Sequence, residues 1–276
     1  MVLRSADGAI AVVHLHGAHV SSWRPAPDGA ERLFLSSRSD LREGSAIRGG
    51  IPVIFPQFAA EGPLPRHGFA RTSVWNPVGE ETPAAGDAIA SFTLRDSAAT
   101  RALWPASFLA TLAVRVGGAR LRVELAVENT GGETFSFTGA LHTYLRVHDV
   151  RQAELVGLRG TQYRESGMPG VLQRDESETL RIADEIDRVY IAAPRRLLLR
   201  DAGRQLEIEA AGFPDVIVWN PGAARAAELK DMEPGGERRM LCVEAGAVQV
   251  PVTLDAGARW VASQTLIAHH DTNEPE

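Results

Sequence analysis

Cysteine and lysine are nearly absent from this chain of 276 residues, and both absences exclude kinds of chemistry. Cys242 is the lone cysteine, which excludes an internal disulfide and a thiolate metal cluster. Lys230 is the only lysine, so Schiff-base chemistry has no other position in the chain. A reducing cytoplasm is the compartment that this cysteine usage favours.

Long apolar runs and basic tracts are also missing. No stretch approaches the roughly 20 apolar residues that a transmembrane helix needs, and the first residues contain no apolar segment of signal-peptide length. The formal net charge is -6 at pH 7, with no basic excess that would neutralise a phosphate backbone. We therefore expect a soluble, cytoplasmic protein that binds neither membranes nor nucleic acid.

Short alternating apolar runs recur along the whole chain, and helical periodicity is scarce. Residues 121–128 alternate strictly and follow a Gly117-Gly118 turn, which predicts an antiparallel pair over residues 108–128. Residues 134–147 are predicted to continue that sheet, and residues 96–103 to form a turn or two of helix. Further strands are predicted at residues 9–15, 20–23, 88–94, 154–158, 188–190, 196–200, 205–210, 216–219, 241–245 and 259–267.

These elements predict an all-β fold, a large antiparallel β-sandwich with few short helices. No linker-like segment divides the chain, so residues 1–276 are predicted to form one domain. The polar end, residues 270–276, is predicted to be loose.

Residues 44–71 combine glycine and proline with Arg48, Arg66, His67 and Arg71. Glycine and proline forbid a long helix, so this segment is predicted to be irregular or edge-strand chain. The planar fork of arginine suits carboxylate or phosphate, which favours a small anionic ligand. The alternative is that these arginines are solvated surface residues. Gly49-Gly50 is expected to permit a tight bend next to Arg48.

Three further residues stand out because they bring titratable groups into apolar strands. His142 lies within a core-like strand, where a histidine is more often structural than catalytic. Glu244 lies in an apolar strand, where a buried carboxylate needs a partner or a raised pKa. Asp187 is a weaker case of the same kind. Taken singly, none of them identifies a site.

Six short motifs, taken together with these residues, connect the chain to a known family. They occur in order and with compatible spacing: IRGGIPVIFPQF, PRHGFAR followed by Trp75, LHTYLRV, DRVY, VIVWNP and DM...LCVEAG. Over nearly its whole length the chain resembles the glucose-6-phosphate 1-epimerases, or hexose-6-phosphate mutarotases, a branch of the aldose 1-epimerase superfamily. The resemblance implies a galactose-mutarotase-like supersandwich with the sugar site on one concave face.

The resemblance also implies an isomerase that interconverts the α and β anomers of a hexose 6-phosphate, with glucose 6-phosphate as the expected substrate. His142 would be the general acid and Glu244 the general base. Their mutual attraction is expected to hold the histidine protonated near neutral pH. His67 would contact the sugar close to the reacting ring, and whether His67 or His142 protonates the ring oxygen stays open. No cofactor and no metal are expected, because ring opening and closure need only an acid and a base.

The remaining site residues would bind the substrate. The resemblance implies that Arg48 and Arg71 engage the phosphate and that Asp187 accepts hydrogen bonds from hydroxyls. Arg66 replaces a glutamine that is frequent in the family, so it either adds charge toward the phosphate or points to solvent. The expected partner is a small sugar phosphate, and related folds suggest a monomer.

Other functions stay open at this point. The chain could be a mutarotase for unphosphorylated aldoses, a non-catalytic sugar-phosphate-binding protein, a carbohydrate-cleaving enzyme that uses Glu244 and Asp187, or a structural β-sandwich module. His14, His16 and His19 resemble a zinc site, but no carboxylate or cysteine ligand lies nearby in the sequence. Strand and turn histidines without metal are therefore expected there.

Overall fold

The computed structural model describes residues 1–81, 86–166, 168 and 170–269, and β-strands dominate it. Two short helices, α1 (Ala98–Leu103) and α2 (Gly222–Glu228), and two 3₁₀ turns, Ala70–Thr72 and Gly236–Arg239, lie between the strands. In chain order the strands are β1 Val2–Arg4, β2 Ile10–His14, β3 His19–Arg24, β4 Val53–Ile54, β5 Asn76–Glu81, β6 Ala88–Arg95, β7 Phe108–Gly117, β8 Arg120–Asn129, β9 Phe135–Leu141, β10 Tyr144–Arg146, β11 Glu154–Val156, β12 Gln162–Glu165, β13 Gln173–Arg174, β14 Thr179–Arg181, β15 Ile186–Tyr190, β16 Arg196–Asp201, β17 Arg204–Ala211, β18 Asp215–Asn220, β19 Met240–Leu254 and β20 Arg259–His269.

Two large antiparallel sheets contain most of these strands. One has nine strands in the order β14-β11-β16-β17-β20-β8-β7-β6-β5. The other has eight strands in the order β13-β12-β15-β18-β19-β9-β4, with β10 also pairing with β19. A small third sheet has the order β1-β2-β3. The predicted all-β architecture is confirmed.

The core contains the side chains that alternate inward from both large sheets. In β8, Leu121, Val123, Leu125 and Val127 are buried, as the period-two pattern predicts. The same buried cluster extends along the chain from Leu3 to Ala268. The single domain over residues 1–276 stays a prediction, and this continuous core supports it.

The predicted hairpin of β7 and β8 is confirmed, but the prediction that residues 134–147 continue its sheet is wrong. β9 pairs with β19 and β4, and β10 pairs with β19, all in the eight-stranded sheet. The physical reason is that β8 already has β7 on one side and β20 on the other. With both ladders of β8 occupied, the next strand has to join the opposite layer.

Helices are few, as expected. α1 confirms the helical prediction for residues 96–103, and Ser97 caps it through a reciprocal pair of hydrogen bonds with Thr100. α2 was not predicted, although its alanine-rich sequence favours a helix. No helix in the described part of the chain is long and apolar enough to cross a membrane. The tail predicted to be loose, residues 270–276, lies outside the described residues.

Candidate active site

A cavity of about 320 Å³ lies on the face of the eight-stranded sheet that points away from the nine-stranded sheet. All seven site residues predicted from the sequence contribute to its wall. The lining side chains include Arg48, Arg66, His67, Arg71, His142, Tyr144, Ser166, Asp187, Trp219, Arg225 and Glu244.

A larger groove, of about 540 Å³, lies on the nine-stranded sheet. Its arginines Arg122 and Arg196 form ion pairs with Glu124 and Glu209, so much of its charge is already neutralised. Among the described residues that line it, no histidine faces a carboxylate. The smaller cavity is therefore the better candidate.

Strand register brings the two predicted catalytic residues together. Leu141 pairs with Ala245 and Tyr144 pairs with Cys242, and the same register sets His142 directly opposite Glu244. Side chains at these positions point to the cavity, while their chain neighbours point into the core between the sheets. Residues distant in the sequence thus become cross-strand neighbours.

The two side chains are close and buried. Nδ1 of His142 lies 3.3 Å from Oε1 of Glu244, and the two residues are 7% and 1% exposed. Among the described residues, Nδ1 of His142 and Oε2 of Glu244 have no hydrogen-bond partner. Since buried polar atoms normally have partners, this pair is suited to hydrogen-bond a polar ligand.

Burial favours the uncharged forms of both groups. It raises the pKa of Glu244 well above its usual range, and the charge of Asp187 raises that pKa further. Burial also lowers the pKa of His142 well below its usual range, and His67 and the cavity arginines lower that pKa further. The expectation that the pair's attraction holds His142 protonated near neutral pH is therefore wrong, because desolvation and positive neighbours outweigh it.

His67 has a fixed tautomer. It occupies a left-handed backbone conformation with φ of 68°, and its Nδ1 accepts a hydrogen bond from the backbone N–H of Ala59 at 3.2 Å. The ring proton therefore resides on Nε2. Burial, together with the charges of Arg71, Arg66 and Arg48, lowers the pKa of His67 to about 2. His67 is a neutral hydrogen-bond donor.

Arg48 is already paired within the protein. Its Nε and one terminal nitrogen each donate to the carboxylate of Asp231 at 3.2 Å, and the other terminal nitrogen donates to the hydroxyl of Tyr144 at 3.0 Å. Its guanidinium carbon lies 5.8 Å from the ring centre of Trp219. Most of its charge is therefore neutralised locally.

Arg71 and Arg66 differ from Arg48 in having no ion pair with an acidic residue in the described part of the chain. A terminal nitrogen of Arg71 donates to the backbone carbonyl of Arg66 at 3.0 Å, and Nε of Arg71 is buried without a partner. Burial lowers the pKa of Arg71, and the positive charges of Arg48 and Arg66 lower it further, although Tyr144 opposes them. The unpaired positive charge of the cavity is therefore concentrated at Arg66 and Arg71.

The bend that presents Arg48 requires glycine. Gly49 and Gly50 have φ of 124° and 61°. A Cβ at Gly49 would lie 2.3 Å from the carbonyl oxygen of Phe34, and one at Gly50 would lie 2.2 Å from that of Val20. No side chain fits at such distances, so the predicted tight bend is confirmed.

Two strands, β18 and β19, separate Asp187 from His142 on the same face of the sheet. It pairs in register with Trp219, which in turn pairs with Cys242. Burial raises the pKa of Asp187 to about 6, against the opposing effect of Arg225 and Arg66. Its carboxylate therefore accepts hydrogen bonds at neutral pH and loses its charge in mild acid.

Sequence reasoning missed Tyr144, Ser166 and Arg225, which line the cavity, and Asp231, which pairs with Arg48 behind it. Tyr144 stacks on the ring of His142 with centroids 4.8 Å apart and planes at 8°. Its position two residues after His142 places it on the same strand face, which is a signal that could have found it. Asp231, Ser166 and Arg225 come from loops and a helix, where no periodicity indicates which side chains reach the cavity.

Two of the three N-terminal histidines, His14 and His16, hold structural hydrogen bonds, and the third, His19, is buried. Nε2 of His14 lies 2.9 Å from the hydroxyl of Ser21, and Nε2 of His16 lies 2.6 Å from the carbonyl of Ser45. His19 is fully buried, which lowers its pKa to about 3. In the described ranges, no group of three or more histidine, cysteine, aspartate or glutamate side chains is placed to hold a metal ion.

Comparison with protein families gives a match over most of the chain. The pattern of the family described as "Aldose 1-epimerase" matches residues 1–266. A protein of Cenchrus ciliaris named "Putative glucose-6-phosphate 1-epimerase" is 35% identical over 269 residues, which cover 94% of this chain and 82% of that protein. A protein of Escherichia coli (strain K12) with the same name is 35% identical over 236 residues, covering 83% of this chain and 77% of that protein.

Solved structures agree with this match. The crystal structure of a "putative mutarotase (YeaD)" from Salmonella typhimurium superposes with a TM-score of 0.86 at 29% identity, covering 94% of this chain and 87% of that one. A galactose mutarotase-like protein from Lactobacillus casei ATCC 334 superposes with a TM-score of 0.76 at 16% identity, covering 95% and 97%. The predicted galactose-mutarotase-like fold is confirmed.

Proposed function

The chain belongs to the aldose 1-epimerase family, and we propose that it interconverts the α and β anomers of a hexose 6-phosphate, with glucose 6-phosphate as its substrate. The observation that carries this proposal is the contact between His142 and Glu244 in the wall of one cavity, where Nδ1 of the imidazole lies 3.3 Å from Oε1 of the carboxyl group. The names of the relatives at 35% identity support the substrate class.

The reaction needs a base at the anomeric hydroxyl and an acid at the ring oxygen, two oxygens that are bonded to the same carbon. Glu244 takes the proton of the anomeric hydroxyl while His142 gives a proton to the ring oxygen, which breaks the bond between that oxygen and the anomeric carbon. Rotation about the adjacent carbon–carbon bond presents the other face of the aldehyde. Closure then returns both protons by the reverse steps.

Proton counting reconciles this mechanism with the uncharged pair that burial favours. A carboxylic acid beside a neutral imidazole contains the same number of protons as a carboxylate beside an imidazolium. The site therefore reaches its reactive form by moving one proton within the pair, without taking one from solvent. Arg71 lowers the pKa of both Glu244 and His142, so its charge favours the carboxylate but opposes the imidazolium, and the two effects on the shared proton oppose each other.

His67 acts as a hydrogen-bond donor in this proposal, and His142 is the acid. Because Nδ1 of His67 accepts a backbone hydrogen bond, its ring has one proton, and giving that proton away would leave an imidazolate. Its Nε2–H can bind a sugar oxygen without being transferred.

The phosphate binds at Arg71 and Arg66 in this proposal, and Arg48 completes the wall beside them. Arg48 has Asp231 as a counterion, whereas Arg71 has a buried Nε without a partner among the described residues. Charge-assisted hydrogen bonds to phosphate are about twice as strong as neutral ones. A phosphate at carbon 6 is remote from the anomeric carbon within the sugar, so binding it orients the substrate without any bond change at the phosphate. Asp187 accepts hydrogen bonds from sugar hydroxyls.

The register disfavours a carbohydrate-cleaving pair of carboxylates. Asp187 and Glu244 are separated by the intervening strand β18 and by two residues along the strand direction. At typical strand spacings their backbones are about 12 Å apart. Nδ1 of His142, by contrast, lies 3.3 Å from Oε1 of Glu244, so the titratable group that Glu244 contacts is an imidazole and not a second carboxylate.

We also propose that the enzyme is a cytoplasmic monomer that acts without a cofactor, a nucleic acid or a membrane partner. The proposed acid, base and phosphate-binding arginines all belong to the same chain, and acid–base ring opening needs no cofactor. Sedimentation at micromolar concentration tests the monomer, and a stable dimer would contradict it.

Anomer-exchange NMR on glucose 6-phosphate tests the proposed function. Exchange should be fast with the unaltered protein and slower by at least about 10² with Glu244→Gln or His142→Asn, because each removes a positioned proton-transfer group. His14→Asn, which removes an imidazole outside the cavity, is the matched control and should keep full activity. Equal exchange with all variants would refute the catalytic assignment. Binding of glucose 6-phosphate without any acceleration would instead identify a binding protein, and equal rates on free glucose would remove the phosphate preference.

A further inference from the structure

A polar bridge crosses the apolar core directly behind His142 and Glu244. Gln264 lies on β20 of the nine-stranded sheet and is 3% exposed. Its Oε1 accepts a hydrogen bond from the hydroxyl of Thr143, and its Nε2 donates to the carbonyl of Val243 at 2.9 Å. One amide side chain thus links the two large sheets.

Both ends of the bridge are chain neighbours of the catalytic pair. Thr143 follows His142 and Val243 precedes Glu244, and the N–H of Val243 donates to the carbonyl of Thr143 at 3.1 Å. The three hydrogen bonds close a ring through Thr143, Gln264 and Val243. Because side chains alternate along strands, this ring faces the core while His142 and Glu244 face the cavity.

The bridge coincides with an interruption in the strand. β9 ends at Leu141 and β10 begins at Tyr144, so His142 and Thr143 lie in a break of the ladder with β19. The N–H of His142 donates to the carbonyl of Pro52, on the side away from β19. The N–H of Thr143 donates to the carbonyl of Leu141 at 3.0 Å and not across to Val243. The Thr143–Val243 pair therefore has only one of its two ladder hydrogen bonds, and the carbonyl of Val243 accepts from Gln264 in place of the missing one.

A buried amide and a buried hydroxyl are an unexpected choice for filling a core. Thr143 is 0% exposed, and Ala262 and Leu266, the residues of β20 that share the core face with Gln264, are apolar. Apolar side chains of similar size would fill the same space without the demand for satisfied hydrogen bonds. The hydrogen bonds of the polar bridge have preferred distances and angles, so they fix the relative positions of Thr143 and Val243, which an apolar contact does not do.

We propose that Gln264 is a positioning residue that sets the spacing of His142 and Glu244 through Thr143 and Val243. This rests on the proposed function for its catalytic consequence. A displacement of about 1 Å in a proton-transfer site costs on the order of 10² in rate. Gln264 does not line the cavity, so substrate affinity should be little affected.

The test compares Gln264→Leu with a matched variant that removes a buried amide elsewhere. Asn129 is 0% exposed, and its side-chain amide donates to the carbonyls of Glu133 and Leu254, neither of which lines the cavity. On glucose 6-phosphate, Gln264→Leu should lower kcat by about 10-fold to 10²-fold with KM within about twofold. Asn129→Leu should lower the melting temperature by a similar amount and leave kcat unchanged.

Thr143 provides a second pair of variants, of which valine preserves the size of the side chain and serine preserves its hydroxyl. Thr143→Val removes the hydroxyl and should lower kcat in the same way, and Thr143→Ser should restore most of what Thr143→Val loses. Equal kcat values for folded Gln264→Leu, Thr143→Val and the unaltered protein would overturn the inference. So would a loss of kcat in Asn129→Leu as large as that in Gln264→Leu, because the effect would then be general destabilisation.

An activity-independent measurement separates this inference from the proposed function. If the unaltered protein does not accelerate anomer exchange, the proposed function fails. The positioning role is then decided by hydrogen exchange at the N–H of Val243 and by the imidazole ¹⁵N signals of His142. Faster exchange by at least about tenfold together with shifted signals in Thr143→Val supports it, and unchanged values refute it.

Discussion

Replacing Arg71 with methionine removes a half-buried positive charge that has no acidic partner among the described residues. Burial and the nearby charges of Arg48 and Arg66 lower the pKa of Arg71, so its charged form is disfavoured in the folded protein. The variant loses one hydrogen bond, from Arg71 to the carbonyl of Arg66, which is worth about 0.5–1.5 kcal/mol. Relief of desolvation and repulsion acts in the opposite direction. The free energy of unfolding should therefore change by less than about 1 kcal/mol.

Ligand binding should respond much more strongly than stability. Hydrogen bonds from a charged donor are worth about 1.5–3 kcal/mol, so losing about 2 kcal/mol weakens phosphate binding about 30-fold. A ligand at 100 times its Kd stabilises the unaltered protein by about 2.7 kcal/mol. With a Kd about 30-fold higher, the same concentration stabilises Arg71→Met by only about 0.9 kcal/mol.

Two assays check these values. Thermal unfolding with and without glucose 6-phosphate measures the stabilisation, and anomer-exchange NMR measures KM for glucose 6-phosphate and for glucose. KM for the phosphorylated sugar should rise about 30-fold in Arg71→Met while kcat and the activity on glucose stay within about threefold. Arg120→Met, which removes an exposed arginine outside the cavity, is the control. An unchanged KM, or an equal loss on both sugars, would refute the assignment of Arg71 to the phosphate.

Three further changes have defined expectations. Burial raises the pKa of Asp187 to about 6, so between about pH 4 and about pH 6 the folded protein binds a proton that the unfolded chain does not. The free energy of unfolding therefore falls as pH rises through that window. Denaturation at several pH values should show that Asp187→Asn removes this fall. Asp231→Asn leaves the charge of Arg48 unpaired and should lower the free energy of unfolding in urea by about 1–3 kcal/mol. The same substitution made in the Arg48→Met variant should lower it by less than about 1 kcal/mol. Equal losses in the two backgrounds would exclude coupling between Arg48 and Asp231. Gly50→Ala places a Cβ 2.2 Å from a backbone oxygen and should lower the free energy of unfolding by more than about 2 kcal/mol. Gly118 has φ of 56°, and a Cβ there has its nearest contact at 3.6 Å. Gly118→Ala should therefore lower the free energy of unfolding only by the backbone conformational cost of about 1–2 kcal/mol.

The strands were predictable where their signal is local. Alternation in β8 and the turn before it gave the hairpin with β7, because period-two burial and turn chemistry depend on adjacent residues. The partner of β9 was not predictable in the same way. Pairing with β19 follows from which strand edges are already occupied, and that is a property of the whole sheet.

In the candidate site, too, the residues marked by a local sequence signal were predictable and the contacts between distant residues were not. Residues such as His142, Glu244 and Arg71 were identifiable because their types are unusual in their segments and match motifs of a family. Asp231 was not, since a polar loop gives no indication of which carboxylate will reach Arg48. The protonation state of His142 was also mispredicted, because desolvation depends on neighbours that only folding brings together.

Residue order along the chain is enough to establish an all-β protein, the segments that form its strands and the residue types available for acid–base chemistry, because those features depend on local periodicity and composition. Folding determines which of these side chains come close to one another. The opposition of His142 and Glu244, the counterion of Arg48, the absence of an acidic partner for Arg71 among the described residues and the bridge through Gln264 all arise from long-range strand pairing and from burial. These interactions join parts of the chain that are far apart in sequence, so no local pattern encodes them.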